Sequence, residues 1–124
     1  ISSDCADLPR PQTGAYSAAK AGGEAMVTQM RMELEGTGIR ASLVRPGPTQ
    51  TGMGLTSPAE RVGPMLEAWQ EWGFARHPYF LRASQLADAV VAVVSAPRGA
   101  HLVLVEVQPE APIKPRPAAT GDAP

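Results

Sequence analysis

Tyr16 and Lys20, four residues apart, are the pair in this 124-residue chain whose types and spacing could do chemistry. They lie in Ala15-Tyr16-Ser17-Ala18-Ala19-Lys20-Ala21, a stretch rich in helix-favouring residues. On a helix, residues four apart share a face, one turn above the other. An ammonium held beside a phenol stabilises the phenolate, and an ion pair at about 4 Å under partial screening is worth roughly 4 kcal/mol. A phenol helped in this way can give and take a proton near neutral pH. The plainer alternative is an aromatic packed at a helix start and a solvated lysine.

The elements that must position this pair follow from the punctuation of the chain. Residues 4–14, with Pro9, Pro11 and Gly14, read as a loop entering a helix over 15–35, which Gly36-Thr37-Gly38 closes with a left-handed cap. Its apolar stripe is Tyr16, Gly23, Met26, Val27, Met30 and Leu34. A second face of Ala18, Ala21, Gly22 and Ala25 predicts a very close neighbour, either the sheet or a second subunit. Residues 39–44 read as a buried, parallel strand stopped by Pro46-Gly47-Pro48, with a polar segment following to Thr56. Ser57-Pro58-Ala59-Glu60 predicts the start of a helix over 58–72, broken or kinked at Pro64. Ser84 is the expected cap of a helix over 85–95 with Leu86, Ala89, Val90, Val93 and Val94 inward, and a strand is expected over 101–107. The alternation predicts an α/β domain over 1–112 with a parallel sheet and flanking helices, followed by a proline-rich disordered tail at 113–124. In such sheets ligands collect beyond the carboxyl ends of the strands, where Ser3 and the Pro46-Gly47 turn both fall.

A formal charge of −1 leaves no basic patch for nucleic acid. No apolar run approaches the roughly 18 residues of a membrane span, and a cytoplasmic protein is the expectation. Cys5, the single cysteine, reads as a reduced thiol, and no spacing of Cys, His and carboxylates predicts a metal site.

Together these residues resemble the catalytic half of the short-chain dehydrogenase/reductase family. The family's tyrosine-x-x-x-lysine pair is Tyr16 and Lys20, its active-site serine thirteen residues earlier falls on Ser3, and its proline-glycine turn with downstream threonines matches Pro46-Gly47-Pro48-Thr49-Gln50-Thr51. The resemblance spans Ile1 to Val107 and implies the C-terminal part of a doubly wound, Rossmann-like parallel sheet. It also implies hydride transfer between NAD or NADP and an alcohol or ketone. Tyr16 would then be the general acid/base, Lys20 would favour its phenolate and bind the nicotinamide ribose, and Ser3 would hold the substrate oxygen. Pro46, Gly47 and Thr49 would seat the nicotinamide, and Thr51 would reach its carboxamide or the pyrophosphate.

The sequence departs from the family in two places. No Gly-x-x-x-Gly-x-Gly turn occurs in the 124 residues, and the last strand runs Val105-Glu106-Val107-Gln108-Pro109 rather than into Asp-Gly-Gly. Ile1-Ser2-Ser3 reads as the end of a strand, so the expectation is a C-terminal fragment that alone binds NAD(P)H negligibly and is inactive. Trp69, Trp72, Phe74, Tyr79 and Phe80 suggest a lid over a hydrophobic substrate, or else apolar cover or a subunit contact. A homo-oligomer through the 15–35 helix is expected of the full-length protein. The competing functions are a non-catalytic, nucleotide-binding relative and an interaction module.

Overall fold

Two short runs, one of leucine and valine before a proline and one of leucine and valine around a glutamate, form the sheet. A computed structural model describes residues 1–53, 57–72 and 77–114. In chain order they form a 3-10 turn (Asp4–Ala6), helix α1 (Gly14–Glu33), strand β1 (Leu43–Pro46), helices α2 (Ala59–Glu71) and α3 (Ala83–Val94), and strand β2 (Leu104–Val107). β1 and β2 pair in parallel, with Leu43 opposite Leu104 and Pro46 opposite Val107. A parallel pair needs a long crossover, here the segment carrying α2 and α3.

Residues 1–3 run along the other edge of β1. The amides of Leu43 and Gly47 donate to Val103 and Val107 at 2.9 and 2.7 Å, while the Val44 carbonyl accepts from the Ser2 amide at 2.8 Å. Successive residues of a strand direct their backbone groups to opposite edges, so the order across the molecule is residues 1–3, β1, β2. This places Ser3, the Pro46-Gly47 turn and the residue after β2 side by side at the carboxyl ends.

The expected elements all occur, with shifted bounds. The strand read over 39–44 is instead Leu43–Pro46, because pairing with β2 begins only where Leu43 meets Val103, and Pro46 can close it since Gly47 supplies the next donor. Likewise the strand read over 101–107 is Leu104–Val107. Pro64 does not end α2, which runs through it. Ser57 and Ser84 make no capping bond: Pro58 and Arg82 are the cap residues, and the Gln85 side chain accepts from the Arg82 amide at 2.9 Å. Gly36 and Gly38 take φ of 79° and 80°, the left-handed values expected after α1.

The apolar core is thin. Among the described residues only Cys5, Leu43, Val44 and Leu81 are buried apolar side chains, and the polar Ser2, Ser3, Asp4, Arg10 and Ser17 are as well covered. Val94, expected inward, is 69% exposed, as are Met26 and Met30 of the α1 stripe at 62% and 42%. Among the described residues no close neighbour lies against Gly22 on the small-residue face of α1, where a Cβ would meet nothing within 4 Å. No described helix is long and apolar enough to cross a membrane. Residues 115–124 of the expected tail, 54–56 of the polar segment and Phe74 lie outside the described residues.

Candidate active site

Ser3 is the N-cap of the 3-10 turn, and its role there fixes its side chain. Its Oγ accepts from the Cys5 amide at 3.2 Å and donates to Asp4 Oδ1 at 3.4 Å. Asp4 is pinned by a bidentate Arg10, whose Nη1 donates to Oδ1 at 2.8 Å and whose Nη2 donates to Oδ2. Arg10 Nη1 also reaches Cys5 Sγ at 2.6 Å, and its guanidinium lies over the Trp69 ring, 5.2 Å from the centroid. Burial opposes the Arg10 charge, but the Asp4 hydrogen bonds and charge outweigh it and hold the guanidinium above its usual value. Trp69 Nε1 in turn donates to the Pro11 carbonyl at 3.0 Å, docking α2 on the loop before α1. Trp69 thus braces the loop that carries Ser3, while Trp72, Tyr79 and Phe80 of the expected lid are exposed.

Tyr16 and Lys20 occupy successive turns at the start of α1, with Lys20 Nζ 5.7 Å from the tyrosine ring centroid. The ammonium also donates to the Ile1 carbonyl at 3.4 Å, two residues before Ser3. Ser17, between them, is buried with its Oγ 3.0 Å from Thr13 Oγ1, which ties the helix start to the preceding loop. One helix face thus carries the phenol and the ammonium beside the segment that ends in the serine.

The Pro46-Gly47 turn closes the other side. Thr49 Oγ1 donates to the Gly47 carbonyl at 2.9 Å, and the backbone of Pro48 and Gln50 clasps Leu81 at 2.8 Å on each side. Thr51, by contrast, is exposed, and its Oγ1 accepts from the Met53 amide at 3.2 Å. Over the turn lies Gln108: a Cβ on Gly47 would come within 2.8 Å of its Cδ and 3.1 Å of Pro109 Cδ. Gln108 Nε2 donates onward to Asp4 Oδ2 at 3.2 Å. Sequence reasoning missed Asp4, Arg10 and Gln108 because buried polar contacts carry no periodicity. The available signal was a carboxylate and a guanidinium following Ser3 within one proline-bearing loop.

Arg45 on β1 binds the same face to α1. Its Nε and Nη2 donate to Glu24 at 3.0 and 2.6 Å, and Asp7 and Glu106 lie 3.5 and 3.7 Å away. The Arg45 hydrogen bonds hold the Glu24 carboxyl below its usual value despite partial burial. Among the described residues no three His, Cys, Asp or Glu side chains gather as metal ligands.

Comparison with known proteins sharpens what this arrangement is. Residues 1–61 match the short chain dehydrogenase family. That segment contains Ser3, Tyr16, Lys20 and the whole Pro46-to-Thr51 turn. The chain is 43% identical over 60 residues to a short-chain type dehydrogenase/reductase of Picea abies, a match covering 48% of this chain and 22% of the relative. It is 47% identical over 53 residues to the vibriobactin-specific 2,3-dihydro-2,3-dihydroxybenzoate dehydrogenase of Vibrio cholerae, covering 43% of this chain and 20% of that one. These matches span about a fifth of the curated relatives' lengths. The fold is similar to that of a serine dehydrogenase in its closed form with NADP+, at a TM-score of 0.69 and 20% identity, covering 94% of this chain and 47% of the other. The segment similar to the short chain dehydrogenase family therefore sits in an α/β, Rossmann-like fold.

Proposed function

We propose that the chain is the catalytic half of a short-chain dehydrogenase/reductase that interconverts an alcohol and a ketone or aldehyde with NAD or NADP. The observation that carries this reading is the phenol and ammonium on one turn-spaced face of α1, with Lys20 reaching the carbonyl two residues before Ser3. The donor set suits a nicotinamide ribose. An ammonium has three N–H donors, and Lys20 makes one hydrogen bond among the described residues, leaving capacity for ribose hydroxyls.

When bound, the nicotinamide supplies the hydride. The side chains of this chain supply the rest. Tyr16 Oη gives a proton to the carbonyl oxygen, or removes it from the alcohol in the reverse direction. Ser3 Oγ–H, at the end of its extended segment, holds that oxygen as negative charge develops. Lys20, with N–H donors to spare, would orient the ribose. The backbone at Pro46, Gly47 and Thr49 would hold the nicotinamide side, and Thr51 would serve the carboxamide or pyrophosphate.

No glycine-rich dinucleotide turn lies in the 124 residues, and the chain matches 47% of the serine dehydrogenase. The reading assigns the adenosine seat to sequence outside this segment. Residues 1–112 are proposed as one catalytic portion, and the exposed Met26 and Met30 face of α1 as a subunit contact of the natural-length protein. A hydrophobic alcohol or ketone is the proposed substrate. The test is NADH and NADPH consumption by the natural-length protein against a panel of aliphatic and aromatic ketones and aldehydes. Turnover of at least one member is expected. Nucleotide binding with no turnover of any member would instead favour a non-catalytic binding module.

A further inference from the structure

We infer that Gln108 is a positioning residue for Ser3, acting through Asp4 across the carboxyl ends of the sheet; the inference rests on the proposed role of Ser3 above. Gln108 follows β2, whereas Asp4 follows the extended segment on the far side of β1. Two strand spacings, about 9–10 Å, separate these lines of chain. The two side chains bridge that gap over Gly47, where any Cβ would collide with the Gln108 carboxamide. A side chain in place of the turn glycine would thus push the Gln108 carboxamide out of this crossing.

The hydrogen-bond count explains what the crossing does. An ionised carboxylate has about four lone-pair sites. In Asp4 all four are used: Oδ1 by Arg10 and Ser3, Oδ2 by Arg10 and Gln108. The Ser3 bond is the longest of them at 3.4 Å. With its other sites filled, Asp4 holds the serine in place weakly enough for a substrate oxygen to take over the proton. Without Gln108, Asp4 keeps Arg10 but loses the donor that steadies Oδ2, and the long bond to Ser3 is the one that gives way, so Ser3 loses its aim.

The test compares wild type, Gln108→Leu and Gln108→Glu in the natural-length protein, assayed with NADPH and the ketone panel. Gln108→Leu should lower kcat about tenfold, the scale of one hydrogen bond to a charged group, with KM for NADPH little changed. Gln108→Glu should show the same deficit relative to wild type at about pH 8 and recover toward wild type near about pH 6, once its carboxyl is protonated and can donate to Asp4. That carboxyl would face Asp4 and Glu106, which raise its pKa, with Arg10 beyond Asp4, Arg45 beyond Glu106, and Arg82 and Glu110 lining the adjoining cleft. A wild-type kcat in Gln108→Leu, or a Gln108→Glu deficit indifferent to pH, overturns the inference. A second readout needs no substrate: the Cys5 amide, bonded to Ser3 Oγ, should shift its NMR resonance and exchange faster in Gln108→Leu. An unmoved Cys5 amide overturns the positioning role. If wild type consumes no nucleotide, the proposed activity fails, and the amide alone decides this inference.

Discussion

Arg10→Met removes the cation at the centre of the buried cluster while keeping an apolar stem against Trp69. Arg10 and Asp4 are only 7% and 3% exposed, so neither partner can fall back on water. The substitution deletes two charge-assisted bonds to Asp4, one bond to Cys5 and the contact over the Trp69 ring. Summing these separately would overcount, because burying the guanidinium has its own desolvation cost. Breaking one side of a buried pair typically costs about 3–5 kcal/mol, chiefly through the stranded charge. That loss corresponds to a fall of roughly 10 °C or more in Tm for a domain of this size. Urea unfolding followed by circular dichroism measures it, with Asp4→Leu/Arg10→Met as the second arm. The double variant should recover much of the loss, because it leaves no unpaired charge. A single-variant cost below about 1 kcal/mol, or a double variant no better than Arg10→Met, would refute the claim that the cluster is a desolvated ion pair.

Two further outcomes follow from the same face. Glu24 is held by Arg45 below its usual value of 4.5, so its contribution is fully present above that pH and is lost as pH falls through the lowered folded value. The stability difference between wild type and Glu24→Gln should therefore be constant near neutrality and shrink below about pH 4.5 in acid-titrated denaturation curves; a difference that grows on acidification would contradict the pairing. Gly47→Ala should cost about 1–3 kcal/mol by driving Gln108 off the turn, and most of that cost should vanish in a Gln108→Ala background, as read from a double-mutant cycle in urea. Equal costs in both backgrounds would show that Gln108 is not the obstacle.

The parts of the molecule that sequence could reveal are those with period or punctuation. α1 and its glycine close were legible from residue type and from Gly36, and both strands from short apolar runs ended by Pro46 and Pro109. Their bounds were not, because a strand begins where a partner pairs with it, and Leu43 finds Val103 only through a crossover of about sixty residues. Tyr16, Lys20 and Ser3 could be proposed from sequence because their chemistry and spacing are local. The Asp4, Arg10 and Gln108 linkage was hidden because it joins residues 104 positions apart through side chains that satisfy one another, which no hydrophobic pattern encodes. The outward Val94 and Met26 show the converse: periodicity identifies an apolar face but not what covers it.

The central proposal, that Tyr16 is the proton donor of a nicotinamide-dependent carbonyl–alcohol interconversion, is tested most directly by Tyr16→Phe in the natural-length protein. The ring and its approach to Lys20 are kept, and only the hydroxyl is lost. Turnover of the best ketone of the panel should fall by about 10²–10⁴-fold while the Kd for NADPH stays within a few-fold of wild type. Turnover equal to wild type would contradict the assignment.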